Sequence, residues 1–221
     1  MKLSQNTITI LKNFNSINQN IAIYPNKNYI TTISDDSEFA KAIIDESFPN
    51  EICLYNLGEL LNIANLTQNP DFIFTDKDVI IREDGAKRGG VRIRYSNKDK
   101  LNVPPDDEID FPDAKVSCDV PWEKLNQVIK TAAILGLPNI QIEGNKEGIS
   151  IRVFDRLVID GNKEGVIVIS NEAQDSPFSL CFQVSRFKML SNTNYTLNIT
   201  DIGVKWVSEN GNYEYIMAAM A

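Results

Sequence analysis

Met1-Lys2-Leu3-Ser4-Gln5-Asn6-Thr7-Ile8-Thr9-Ile10-Leu11-Lys12-Asn13-Phe14-Asn15-Ser16-Ile17-Asn18-Gln19-Asn20-Ile21 opens the chain without one acidic residue. Leu3, Thr7, Ile10, Leu11, Phe14 and Ile17 recur at the 3.6-residue spacing of one helix face, and Gln5, Thr9, Lys12 and Ser16 fall opposite. This predicts a helix from about Ser4 to Ile17 with a cationic, otherwise neutral polar face. The acid-free stretch extends to Ser34, and two more run over Lys124–Ile142 and Ser176–Thr200, although the formal net charge is −8. Each stretch holds a predicted helix. An acidic protein that keeps acid off its helices is suited to present them to a polyanion.

A length of 221 residues fits one large domain or two of about 100 residues. The hydrophobic fraction of 43% is enough for a real core. No apolar run approaches the roughly 18 residues of a membrane span, and Lys12 and Asn13 interrupt the first helix, so no signal peptide is expected. Cys53, Cys118 and Cys181 each sit in an apolar, strand-like run and are expected as buried free thiols. There is no CxxC pair and no histidine, which removes the commonest thiolate metal site and the commonest general base. An enzyme, a cofactor and a metal are accordingly not expected.

The chain reads as one module written twice. After the first helix come predicted strands at 21–24, 29–33, 39–44 and 51–55, and a helix from Leu57 to about Leu66 with Leu57, Leu60, Leu61 and Ala64 on its apolar side. Asn56 is its expected N-cap, with Glu59 as capping-box partner. Strands at 71–75, 79–82 and 91–95 close the first half. The second half repeats the order. A strand at 115–120 leads to Pro121 at the first position of a helix reaching Leu135, whose expected buried face is Trp122, Leu125, Ile129, Ala132 and Gly136. Strands follow at 140–143, 149–154, 166–170 and 179–184. Ser185 is then expected to cap a short helix holding Arg186, Phe187, Lys188 and Leu190, before strands at 195–200, 204–208 and 213–217. The expected division is a first module over 1–99, a Pro- and acid-rich connector over 100–114, and a second module over 115–221. Asn145-Lys146-Glu147-Gly148, Asp160-Gly161-Asn162 and Glu209-Asn210-Gly211-Asn212 are the expected hairpin turns.

Met1-Lys2-Leu3-Ser4, Thr7, Leu11-Lys12-Asn13-Phe14, Ile17-Asn18 and Ile21 resemble the N-terminus of the T-even-type bacteriophage sliding clamps, the DNA polymerase processivity factors. Tyr213-Glu214-Tyr215-Ile216-Met217-Ala218 resembles that family's last strand; between these ends the likeness is one of pattern. The resemblance implies an α+β DNA-clamp fold with two similar modules per chain, helices lining a ring and antiparallel sheets outside. It implies a homotrimer that encircles double-stranded DNA without reading its sequence and tethers the replicative DNA polymerase. It further implies an ATP-dependent clamp loader, a late-transcription partner, and a place in the host cell cytoplasm at the replication fork.

On this reading the DNA-facing cations are Lys2, Lys12, Lys124, Lys130, Arg186 and Lys188. The resemblance makes Val91, Ile93 and Tyr95 one subunit edge and Val166, Ile167, Val168 and Ile169 the other. It also makes Ile109, Phe111, Tyr215 and Met217 a pocket for partner peptides. The Gly85-Ala86-Lys87-Arg88-Gly89-Gly90 run lacks the Gly-Lys-Ser/Thr ending of a phosphate loop and reads as a hairpin turn. The acidic clusters at Asp35–Glu38, Asp45-Glu46 and Asp106–Asp113 lack EF-hand spacing and read as solvated loops whose charge repels DNA from an outer wall. The alternative to a clamp is a structural virion or scaffold protein that oligomerises through its edge strands without DNA. The acid-free helices argue against it. A small hydrolase would need a Gly-x-Ser-x-Gly or metal motif that the chain lacks.

Overall fold

The computed structural model describes residues 1–105, 109–157 and 163–220. Asp106, Asp107 and Glu108 of the acidic connector and the Asp160-Gly161-Asn162 turn lie outside the described residues. The chain divides into two units between Ile109 and Asp110, within the connector.

The first unit opens with helix α1 (Gln5–Ile17). Thr7, Ile10, Leu11 and Phe14 are its buried residues, and Ile17 is half-buried. Ser4 is the N-cap, and its hydroxyl accepts the Thr7 amide at 3.1 Å. Strands β1 (Ile21–Ile23) and β4 (Ile52–Leu54) pair, and β2 (Tyr29–Ile33) forms an antiparallel hairpin with β3 (Phe39–Ile43). Helix α2 (Leu57–Leu66) buries Leu57, Leu60, Leu61 and Ala64 at the spacing that the sequence predicts. Its capping box does not form: the Asn56 amide donates to the Glu59 carboxylate at 3.2 Å rather than accepting a backbone N–H. Strands β5 (Pro70–Phe74), β6 (Asp78–Glu83) and β7 (Val91–Arg94) make an antiparallel sheet with β7 at one edge. The glycine-rich run 85–90 joins β6 to β7, a strand-to-strand turn.

The second unit starts with β8 (Val116–Val120) and helix α3 (Trp122–Leu135). Pro121 stands at the N-cap, one position earlier than expected, and makes no side-chain cap. The buried face is Leu125, Val128 and Ala132; Trp122 and Ile129 are half-buried, and Gly136 is the exposed left-handed C-cap at φ 69°. Strands β9 (Asn139–Asn145), β10 (Gly148–Phe154), β11 (Gly165–Ser170) and β12 (Phe178–Gln183) form a sheet in the order β11-β10-β9-β12. A 3-10 helix over Val184–Met189 follows in place of the expected α-helix. Ser185 lies inside it and caps nothing. Six residues that must bury both Phe187 and Met189 are too few for a helical stripe, so the chain takes the tighter turn. Strands β13 (Tyr195–Ile199), β14 (Gly203–Ser208) and β15 (Tyr213–Ala218) complete a sheet with β8, which pairs with β13.

The core of the second unit is aromatic. Phe182, Phe187, Trp206, Tyr195 and Tyr215 meet edge to face in sequence, with ring centroids 5.8–6.2 Å apart. Cys53 is buried, whereas Cys118 and Cys181 are only half-buried; all three are free thiols.

Candidate nucleic-acid and subunit interfaces

The six cations singled out from the sequence divide into two groups. Lys12 on α1, Lys130 on α3 and Lys188 on the 3-10 helix are exposed, and among the described residues they form no ion pair. The other three are engaged within the chain. Lys2 pairs with Asp84 at 2.6 Å. The half-buried Arg186 donates from Nη1 to the Ala218 carbonyl at 2.8 Å, holding the 3-10 helix to the end of β15. Lys124 Nζ donates to the Val168 carbonyl at 2.5 Å and reaches the Ile169 carbonyl at 3.5 Å, both on β11. Of the six, Lys2, Lys124 and Arg186 are thus held by Asp84 and by backbone carbonyls, and Lys12, Lys130 and Lys188 are the exposed ones without an ion pair among the described residues.

Acid is scarce on the same elements. Glu59 and Glu123 each sit in the first turn of their helix, where the macrodipole favours an anion. Glu46 lies at the start of α1 from outside it. Its carboxylate accepts from the Ser4 amide and the Thr7 hydroxyl. Burial pushes its pKa up, but these hydrogen bonds outweigh that and hold it below the ordinary carboxylate value.

The two expected subunit strands are both sheet edges. On β7, Val91 is 45% exposed and Ile93 half-buried; Tyr95, just past its end, is half-buried. On β11, Val166 and Val168 are 53% and 47% exposed. Ile167 and Ile169 point the other way and are 8% exposed, so their side chains belong to the core and are not offered at the edge. The period-two alternation of a strand explains the correction: an apolar run four residues long cannot present every side chain to one face.

The expected peptide pocket is not assembled as drawn from the sequence. Ile109 and Phe111 are half-buried. Tyr215 and Met217 have no exposed surface and are not walls of an open groove. Three successive residues of β15, Tyr215, Ile216 and Met217, are buried, so both faces of the strand are covered. The Tyr215 hydroxyl lies 2.8 Å from the Ser191 hydroxyl, and burial raises its pKa to about 12. A groove that no sequence pattern signalled runs between the end of α3 and the 3-10 helix; Ala132, Gly136, Pro138, Val184 and Lys188 are among its lining, and its volume is about 520 Å³. No group of three or more acidic, cysteine or histidine side chains among the described residues is placed to hold a metal. No helix among them is long and apolar enough to cross a membrane.

No protein-family model matches the chain. It is 34% identical over 143 residues to the sliding clamp of Vibrio phage KVP40, a match covering 63% of each protein, so the chain spans less than two thirds of that relative. It is 26% identical over 224 residues to the sliding clamp of Escherichia phage RB69, covering 98% of this chain and 87% of the relative. With the sliding clamp of Enterobacteria phage T4 it shares 27% identity over 158 residues, covering 71% of this chain and 68% of the relative. Among solved structures, A. fulgidus PCNA, seen with the C-terminal region of FEN-1, matches with a TM-score of 0.69 at 13% identity, covering 100% of this chain and 97% of that one. The DNA polymerase III subunit beta from Pseudomonas aeruginosa gives the same TM-score at 10% identity, covering 97% of this chain and 62% of that one. These structures show the clamp fold. In sequence the chain is similar to the sliding clamps of these three bacteriophages.

Proposed function

We propose that the protein is a homotrimeric sliding clamp that encircles double-stranded DNA and tethers a replicative DNA polymerase. The observation that carries this reading is the pair of open edges, β7 in the first unit and β11 in the second, each with exposed valine. Unpaired apolar edges invite aggregation, and head-to-tail pairing that closes on itself removes both. Lys12, Lys130 and Lys188 then supply a positive field, multiplied by the copies around the ring, that attracts phosphate without reading bases. No side chain of the chain is asked to do chemistry; the work is topological, since a tethered polymerase rebinds at high effective concentration.

The test is mass by light scattering, joined to a polymerase processivity assay. A mass of three times 24.9 kDa and longer products on primed DNA are expected. A monomer at micromolar concentration overturns the ring. Val166→Asp with Val168→Asp is expected to give folded monomers, because both side chains point out of the core. Triple reversal of Lys12, Lys130 and Lys188 to Glu is expected to impair processive synthesis, most at low salt, with the trimer intact.

An ATP-dependent loader that opens the ring and a late-transcription partner belong to the same proposal, as does partner docking on Ile109 and Phe111. The last is supported by two half-buried apolar side chains in an otherwise acidic segment, and by the peptide seen on A. fulgidus PCNA. Phe111→Ala is expected to weaken binding of a fluorescent polymerase C-terminal peptide; equal affinity places docking elsewhere.

A further inference from the structure

The sheet between β10 and β11 is regular up to Val168 and then slips. Ser150 stands opposite Val168 and Ile149 opposite Ser170, which leaves Ile169 as an extra residue on the edge strand. Such a bulge twists an edge and ends pairing. At this point the Lys124 ammonium, reaching from the first turn of α3, sits on the Val168 and Ile169 carbonyls. A charged donor on a strand edge occupies acceptors that another strand would otherwise use. The stretch of β11 whose carbonyls are left open ahead of it is Gly165–Ile167, and β7 spans Val91–Arg94.

We infer that Lys124 is a register stop that fixes how β7 of a second copy pairs with β11. The inference rests on the ring reading above. The faces of the two strands narrow the choices. On β6, Val79 and Ile81 are buried and stand opposite Ile93 and Val91, so Ile93 and Val91 share the core face and Arg92 and Arg94 the outer one. On β11, Ile167 and Ile169 face the core and Val166 and Val168 face out. A sheet that continues antiparallel from one copy to the next keeps its core faces together, because a slip of one residue turns every side chain over. Ile93 therefore stands opposite Gly165, Ile167 or Ile169. Opposite Ile169 it would meet the bulge and the Lys124 ammonium. Opposite Gly165 it would leave Arg94 beyond the start of β11. Opposite Ile167 it sets Arg94 against Val166 and Arg92 against Val168, and the arginine stems cover the two exposed valines.

The experiment is disulfide trapping between copies. Arg94→Cys with Val166→Cys is expected to cross-link on oxidation, and Arg94→Cys with Val168→Cys, the register slipped by two, is expected to cross-link about tenfold less. The unsubstituted chain, with its three native cysteines, is the oxidation control. Adding Lys124→Ala is expected to raise the slipped cross-link toward the level of the first, and Lys124→Arg to leave the discrimination in place. Equal cross-linking of the two pairs with Lys124 present, or no effect of Lys124→Ala, overturns the register stop while a trimeric mass leaves the ring standing. A monomeric mass with neither cross-link overturns both.

Discussion

The two units start alike and secure their first helices by opposite means. Helix α1 is held at its beginning, where the Ser4 hydroxyl and the Glu46 carboxylate take up its amides and the Thr7 hydroxyl. Helix α3 begins at Pro121 with no side-chain cap, and its end is secured instead, by Gly136 in the left-handed conformation. The second helices differ more. In the first unit it is a ten-residue α-helix with four buried aliphatic positions, and in the second a six-residue 3-10 turn built around Phe187. A duplicated module thus preserves which face is buried while the local device that positions it is free to change.

Core substitutions break the comparison most forcefully. Phe187→Ala is expected to cost about 3–5 kcal/mol and Leu60→Ala about 2–5 kcal/mol. Trp122 and Trp206 are the only tryptophans, and both lie in the second unit. Urea unfolding followed by tryptophan fluorescence, excited beyond the tyrosine band, therefore reports on that unit. Phe187→Ala is expected to move the fluorescence midpoint and Leu60→Ala to move chiefly the circular-dichroism midpoint. Equal shifts in both signals for both variants would show that the units unfold as one.

Acid sharpens the contrast between the helix starts. The Glu46 pKa is lower folded than unfolded, so its contribution is fully present above the unfolded value of about 4.3 and disappears as pH falls through the folded value. Glu46→Gln is expected to cost about 1 kcal/mol at pH 7, shrinking as the pH is lowered through this range. Amide exchange at the first turn of α1 checks it; an unchanged rate at pH 7 would remove Glu46 from the cap. The smallest effect belongs to the other helix. A Cβ at Gly136 meets nothing within 4 Å, so Gly136→Ala is expected to cost only the left-handed backbone, about 1 kcal/mol, read as a lower thermal midpoint.

Periodicity made the three α-helices and the order of strands legible, since a 3.6-residue stripe and a two-residue alternation are written locally. The buried set of α2 came out residue by residue. The N-terminal residues carried the family resemblance. What could not be read was everything that depends on a distant neighbour. Nothing near Lys124 in sequence announces the β11 carbonyls, and nothing near Glu46 announces the start of α1. Tyr215 and Met217 alternate like a strand with one open face, yet both faces of β15 are covered. The 3-10 helix defeats a pattern search because six residues are too few to show a period.

The edge-to-face aromatic series in the second unit has an optical consequence. Trp206 is fully buried between Phe187 and Tyr195, and its indole nitrogen has no hydrogen-bond partner among the described residues. An indole in so apolar a setting emits at short wavelength and, fixed against neighbouring rings, gives strong near-ultraviolet dichroism. Trp122, half-buried at the start of α3, emits further to the red. The two tryptophans therefore emit at different wavelengths, one reporting the packing of a core and the other the surface at the start of α3.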